Sequence, residues 1–194
     1  MNTYHITLPL SREQAALLRA GDRVYLTGTL YTARDAAHKR LTDLILYNSQ
    51  HADAPRPLPF PLEGETVYYA GPAPAAPGHA CGSCGPTTSG RMDPYTPLLL
   101  QQGLRVMIGK GKRSPAVKEA MVKHGAVYLG ATGGAAALIS HCITRCETVA
   151  WEDLGAEAIH RYDVVDFPAL VLVDSLGNDL YEIGPARFSE NGTR

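Results

Sequence analysis

The sequence predicts an α/β fold with a mixed sheet. Segments with strand alternation and segments with helical periodicity follow one another along the chain. Helix start signals recur between them, at Ser11 and again at Ser114-Pro115. No internal repeat is visible.

Ser11-Arg-Glu-Gln14 has capping-box spacing, and Ala15, Leu17 and Leu18 follow, so a short helix should run from here and end by Gly21. Residues 23–31, RVYLTGTLY, place Val24, Leu26, Gly28 and Leu30 on one face and predict a strand. From Arg34 to about Tyr47 a helix should carry Ala37, Leu41, Leu44 and Ile45 on its inner side. Residues 50–64 hold four prolines and no period, which reads as a loop before a strand over 66–70. Residues 71–90, GPAPAAPGHACGSCGPTTSG, cannot build a core. Such a stretch either runs over the surface or brings backbone close to something. A strand is expected over 104–109, a helix over 114–125 with Ser114 as N-cap and Pro115 at its first position, and a strand over 126–130. GGAAALIS (133–140) predicts a small-residue helix. ETVAW (147–151), FPALVLVD (167–174) and DLYEI (179–183) predict strands, the last two joined as a hairpin by Ser175–Asn178.

Length and composition fit one globular domain spanning 1–194, with 45% hydrophobic and 19% charged residues. A formal net charge of −1 offers no basic field and argues against a general nucleic-acid binder. No stretch approaches the roughly 20 apolar residues needed to cross a bilayer, and the first residues lack a secretory pattern. A cytoplasmic setting with reduced thiols is therefore expected for the four cysteines.

Four clusters could carry chemistry. Arg34 and His38, just past a strand, share one helix face; Arg suits a carboxylate or phosphate, and His can move a proton near neutrality. The plain alternative is a solvated helix start with an Arg34–Asp35 neighbour pair. Gly85-Pro-Thr87-Thr88-Ser89-Gly90-Arg91 presents adjacent hydroxyls on a Gly-bounded turn with a cation nearby. It is equally readable as a Thr-capped helix start. Gly109-Lys110-Gly111-Lys112-Arg113 is a cationic turn at a strand end, without Walker spacing, and Lys110 is a ligand candidate. Cys81-Gly-Ser-Cys84 and Cys142-Ile-Thr-Arg-Cys146 could form a four-thiolate zinc site, a redox pair or buried structural thiols. No ferredoxin-type spacing is present.

Five motifs taken in order carry a resemblance: GDRVYLTGTLYTARDAAHKR (21–40), GSCGPTTSGRMD (82–93), IGKGKRS (108–114), YLGATGGAAALIS (128–140) and DFPALVLVDSLGNDLY (166–181). Together they resemble the C-terminal (β) half of class I iron–sulfur fumarases and their relatives, the β subunits of L-tartrate dehydratase. The resemblance implies a swivelling β/β/α domain like the mobile domain of aconitase. It also implies a [4Fe–4S] cluster held by three Cys on an α subunit rather than by this chain, and a dimer of αβ pairs.

Carried over position by position, the resemblance assigns Arg34, Thr88, Arg91 and Lys110 to a C4 dicarboxylate substrate. It makes Thr87 the proposed proton-abstracting group, with His38 a second acid–base candidate. The cluster's open iron would act on the departing hydroxyl of malate. A threonine hydroxyl alone is a poor base, so Lys110, His38 or a partner carboxylate would have to activate it. The resemblance places Cys84 at a family-typical position near the site that is not a cluster ligand, whereas Cys81 departs from the usual pattern and is read as incidental. Fumarate is the expected substrate and tartrate the alternative, since one hydrogen-bonding residue can tell the two apart. From a different class, the chain could be a non-catalytic anion-binding or zinc-stabilised module.

Overall fold

A computed structural model describes residues 1–131 and 136–190. In chain order the elements are β1 (Thr3–Thr7), α1 (Arg12–Ala15), β2 (Arg23–Thr32), α2 (Asp35–Gln50), β3 (Thr66–Tyr68), α3 (Thr96–Gln101) and β4 (Val106–Gly109). They continue as α4 (Pro115–His124), β5 (Val127–Gly130), α5 (Ala136–His141), β6 (Ile143–Ala150), β7 (Ile159–Val173) and α6 (Leu180–Glu190). Short 3-10 turns occupy Ser89–Met92 and Glu152–Glu157.

The strands form one sheet that closes on itself. β2, β3, β4 and β5 are parallel neighbours, and β7 runs antiparallel to both β5 and β2. The result is a small barrel-like ring. β1 extends it beside β2, and β6 beside β7. Alternation then sorts the side chains. Val24, Leu26, Leu30, Tyr68, Val106, Ile108, Val127, Leu129, Tyr162 and Phe167 point inward and form one apolar cluster. The opposite parity, including Val67, Tyr69, Met107, Tyr128 and Val173, faces outward. There Ala37, Leu41 and Ile45 of α2, Leu99 and Leu100 of α3, and Val117 and Met121 of α4 cover it.

Local signals account for several elements. At α1 the Ser11 hydroxyl accepts from the Gln14 amide at 3.2 Å, and the Gln14 side chain accepts from the Ser11 amide at 3.0 Å, a complete capping box worth about 1 kcal/mol. At α4 Ser114 accepts from the Val117 amide at 3.4 Å, and the chain leaves through left-handed Gly125 (φ 66°).

Three findings differ from the sequence reading. The segment expected as a strand over 179–183 is the start of α6. Asp179 is its cap, with the side chain accepting from the Tyr181 amide at 2.9 Å and the backbone carbonyl from the Glu182 and Ile183 amides. The preceding turn is real, held by the Asp174 carboxylate on the Leu176 and Asn178 amides, but it delivers the chain into a helix. β7 begins at Ile159, well before the strand expected from 167, and left-handed Asp166 (φ 50°) divides its two halves. β1 and α3 are elements the sequence reading did not single out. Of the helix expected over 133–140, positions 133–135 lie outside the described residues, and α5 accounts for the remainder.

Candidate active site

The carboxyl ends of β2, β3 and β4 lie side by side, and main-chain bonds extend the ladder past them. The Ala33 amide donates to Tyr68 O (3.2 Å), Tyr69 to Ile108 O (2.8 Å) and Ala131 to Gly109 O (2.9 Å). Carboxyl ends of parallel strands are where open α/β sheets place ligands. The sequence-predicted residues all leave the sheet along this edge.

Arg34 and His38 open α2. The His38 ring is fully buried, and its Nδ1 lies 2.9 Å from Arg34 O. A carbonyl only accepts, so Nδ1 carries the proton and Nε2 is a bare lone pair. Burial holds the His38 pKa down at about 4, leaving it neutral near pH 7. The ring stands edge-on to Tyr69 with centroids 5.1 Å apart.

Each arginine of the predicted clamp arrives with a carboxylate. Arg34 Nη2 lies 3.2 Å from Glu157 Oε1, and Glu157 Oε2 also accepts from the Ala36 amide at 3.0 Å. Glu157 therefore caps the positive end of α2 while orienting its first cation. Arg91 Nε lies 2.8 Å from Asp35 Oδ1, which ties the 3-10 turn to α2. Lys110 is exposed and has no carboxylate partner among the described residues.

Thr87 and Thr88 sit between these cations. The Thr87 amide donates to Tyr69 O at 2.7 Å, and Thr88 pairs across a parallel bridge with Lys110. Ser89 ties this bridge down. Its amide donates to Lys110 O at 2.9 Å, and its Oγ accepts from the Lys110 amide (3.1 Å) and the Tyr128 hydroxyl (2.8 Å). A Cβ at Gly109 would collide with that same Oγ, so glycine is needed for the two turns to approach. Neither threonine hydroxyl is engaged by a described residue.

Among the described residues six buried side-chain polar atoms lack a partner, and three of them are here. Arg34 Nε, Asp35 Oδ2 and His38 Nε2 are all buried without a hydrogen-bond partner, on one turn of α2. Buried polar groups are normally satisfied, so three orphans within five residues mark a place built for something else to bind.

The four thiols do not assemble into the predicted zinc site. Cys81 and Cys84 approach the Tyr162 hydroxyl at 3.7 and 3.3 Å, while the Cys142 thiol reaches Leu138 O and Asp166 O instead. Among the described residues no group of three or more His, Cys, Asp or Glu side chains is placed to hold a metal ion.

A family model described as Fumarase C-terminus matches residues 2–184. This chain is a member of the fumarase C-terminus family. It is 46% identical over 162 residues to "Fumarate hydratase class I, anaerobic" of Escherichia coli strain K12, covering 82% of this chain and 28% of that protein. It is 42% identical over 172 residues to "Fumarate hydratase 2" of Leishmania major, covering 88% of this chain and 29% of that one. Against "L(+)-tartrate dehydratase subunit beta" of Escherichia coli strain K12 it is 34% identical over 190 residues, covering 95% of this chain and 90% of that subunit. The chain thus spans under a third of the fumarate hydratases it matches.

In this fumarase C-terminus chain, sequence reasoning found the cations and hydroxyls and missed what holds them. Asp35 was seen only as a neighbour of Arg34, although it pairs with Arg91. Glu157 lies in an acidic stretch, WEDLGAE, that gives no hint of Arg34. Ser89, Asp93 and Arg113 stand inside quoted motifs but had no role. Arg113 is buried with Nε 2.7 Å from Asp93 Oδ1, and its guanidinium lies over both the Tyr69 and Tyr128 rings.

Proposed function

We propose that the chain is the β half of a two-subunit hydro-lyase that interconverts fumarate and L-malate. The observation that carries this reading is the placement of Arg34, Arg91, Lys110 and the Thr87 and Thr88 hydroxyls along one edge of the sheet, with Arg91 tied to the start of α2 and Thr88 bridged to Lys110. Family membership supports a small dicarboxylate as the anion. In this reading the domain spans 1–194, has the swivelling β/β/α architecture and works in the cytoplasm in a dimer of αβ pairs. In this reading the [4Fe–4S] cluster resides on the α subunit.

Within this chain, Arg34, Arg91 and Lys110 capture the substrate carboxylates, charge-assisted contacts of about 1.5–3 kcal/mol each. Thr88 orients the substrate, and Thr87 moves the proton at C3. Of the potential activators within this chain, Lys110 is tied to the adjoining residue by backbone pairing, whereas His38 is sealed in the core. We therefore assign activation to Lys110. Three cations against the two carboxylates Asp35 and Glu157 leave one net positive charge for a substrate with two negative ones. This shortfall supports a partner that completes the site.

The second reading, L-tartrate dehydratase, is favoured by the match across 90% of a relative named as a β subunit. Anaerobic co-production with a cluster-bearing α half, assayed on fumarate, malate and tartrate, tests both. Fumarate and malate turnover is expected. Tartrate turnover alone would establish the second reading, and turnover of none of the three would overturn both.

A further inference from the structure

Three of the thiols gather around Tyr162. Cys146 of β6 is the cross-strand partner of Tyr162 on β7. Cys84 and Cys81 reach the same tyrosine hydroxyl from the loop after β3, at 3.3 and 3.7 Å. Cys81 and Cys146, with His160, line a cavity of about 340 Å³, while fully buried Cys84 lies behind it. The Pro-rich loop and Gly155 and Ala156 complete its lining. At Gly82 a Cβ would collide with the carbonyls of Ala73 and Pro74, so the loop doubles back tightly and fixes Cys81 on the cavity floor.

The two cavity-lining thiols are unlike. The neighbouring Cys146 and Cys84 thiols draw the Cys81 thiol below its ordinary range, with His160 adding to the effect. Cys146 is pushed up by Cys81 and by burial. Two thiols lining one cavity, one of them favoured as the thiolate by its neighbours, are placed as an attacking and a resolving cysteine.

We propose that Cys81 and Cys146 are a peroxide-reactive pair that closes reversibly into a disulfide at the floor of this cavity. The Cys81 thiolate attacks one peroxide oxygen, the O–O bond breaks, and hydroxide leaves and takes a proton from solvent. Sulfur is oxidised by two electrons to a sulfenic acid. The Cys146 thiol then gives up its proton and attacks that sulfur, expelling the oxygen as water and forming the S–S bond. Hydrogen peroxide is thereby reduced to two waters. A dithiol reductant reverses the bond. The proposal is independent of the hydro-lyase reading.

The test treats the full chain with stoichiometric hydrogen peroxide, blocks remaining thiols with N-ethylmaleimide and maps the peptides by mass spectrometry. Trypsin cuts after Arg145 and so separates Cys142 from Cys146. The expected result is loss of two of the four thiols, a Cys81–Cys146 cross-link released by dithiothreitol, and Cys142 recovered alkylated. Cys84→Ala should keep the cross-link. Cys146→Ser should lose it and leave Cys81 as a sulfenic acid that dimedone captures. A Cys81–Cys84 bond, oxidation of Cys142 ahead of Cys81, or four free thiols at a peroxide dose that oxidises the urea-unfolded chain would each overturn the proposal. Mapping on the unsubstituted chain keeps the test decisive even if a variant does not fold.

Discussion

Thr87 is held through its main chain, by the amide bond to Tyr69 O, and its hydroxyl has no described partner. Removing that hydroxyl should therefore leave the fold intact. In the reconstituted enzyme, Thr87→Val should lower kcat about 100-fold or more if Thr87 carries the C3 proton. A rise in KM with kcat preserved would instead reduce it to a substrate contact. Thr88→Val is the control, and its effect should fall on KM. His38 gives a prediction about stability. Its pKa is about 4 in the folded chain against an ordinary 6.5. As pH falls through 6.5 the unfolded chain takes up a proton that the folded chain refuses until about pH 4. Its contribution is thus complete above 6.5 and lost on acidification, by about 2 kcal/mol between about pH 7 and about pH 5. His38→Gln does not titrate there, so its urea midpoints at the two pH values should differ by that much less than those of the parent chain. An unchanged difference would show that His38 is protonated in the folded state.

At the scale of elements, one ion pair aligns the two loops that carry the threonines and the lysine. Asp93 receives Arg113 Nε on one oxygen and the Ser114 amide on the other, both at 2.7 Å. Arg113 also donates to the Thr96 hydroxyl at 2.8 Å. The 3-10 turn, α3 and the start of α4 are thereby fixed together beneath Thr88 and Lys110. Asp93→Asn would leave a buried guanidinium without its counter-ion and should cost about 3–5 kcal/mol, read as a lower urea midpoint. A change below about 1 kcal/mol would show that the charge reaches solvent. Elements with local signals were legible in the sequence. Capping residues announced α1 and α4, and alternation announced β2. α6 was misread because Asp174 and Gly177 make a turn that resembles a hairpin, and Asp179 was not weighed as a cap with Glu182 three residues on. The first half of β7 alternates Tyr162 and Val164 inward with Arg161 and Asp163, but the charged residues hid the period. At the site, the cations and hydroxyls were legible as residue types. Asp35 and Glu157 were not recognised as counter-ions, because pairing across elements leaves no trace in local spacing.

Over the whole molecule, the sheet's closure was the least legible feature, since no local pattern names the strand that completes a ring. That strand is β7, the last in the chain, and it has a timing consequence. Thr29 and Asp163, joined across β2 and β7 at 2.9 Å, lie 134 residues apart. On a ribosome the chain emerges from its first strands onward, so β2 waits with one side unpaired until β7 has been made. Inward residues such as Leu26 and Leu30 stay without their Phe167 and Tyr162 neighbours for that interval. Loop-closure entropy over such a span delays the final pairing further. The ring therefore closes only once β7 has been made, and until then its inward residues stay exposed.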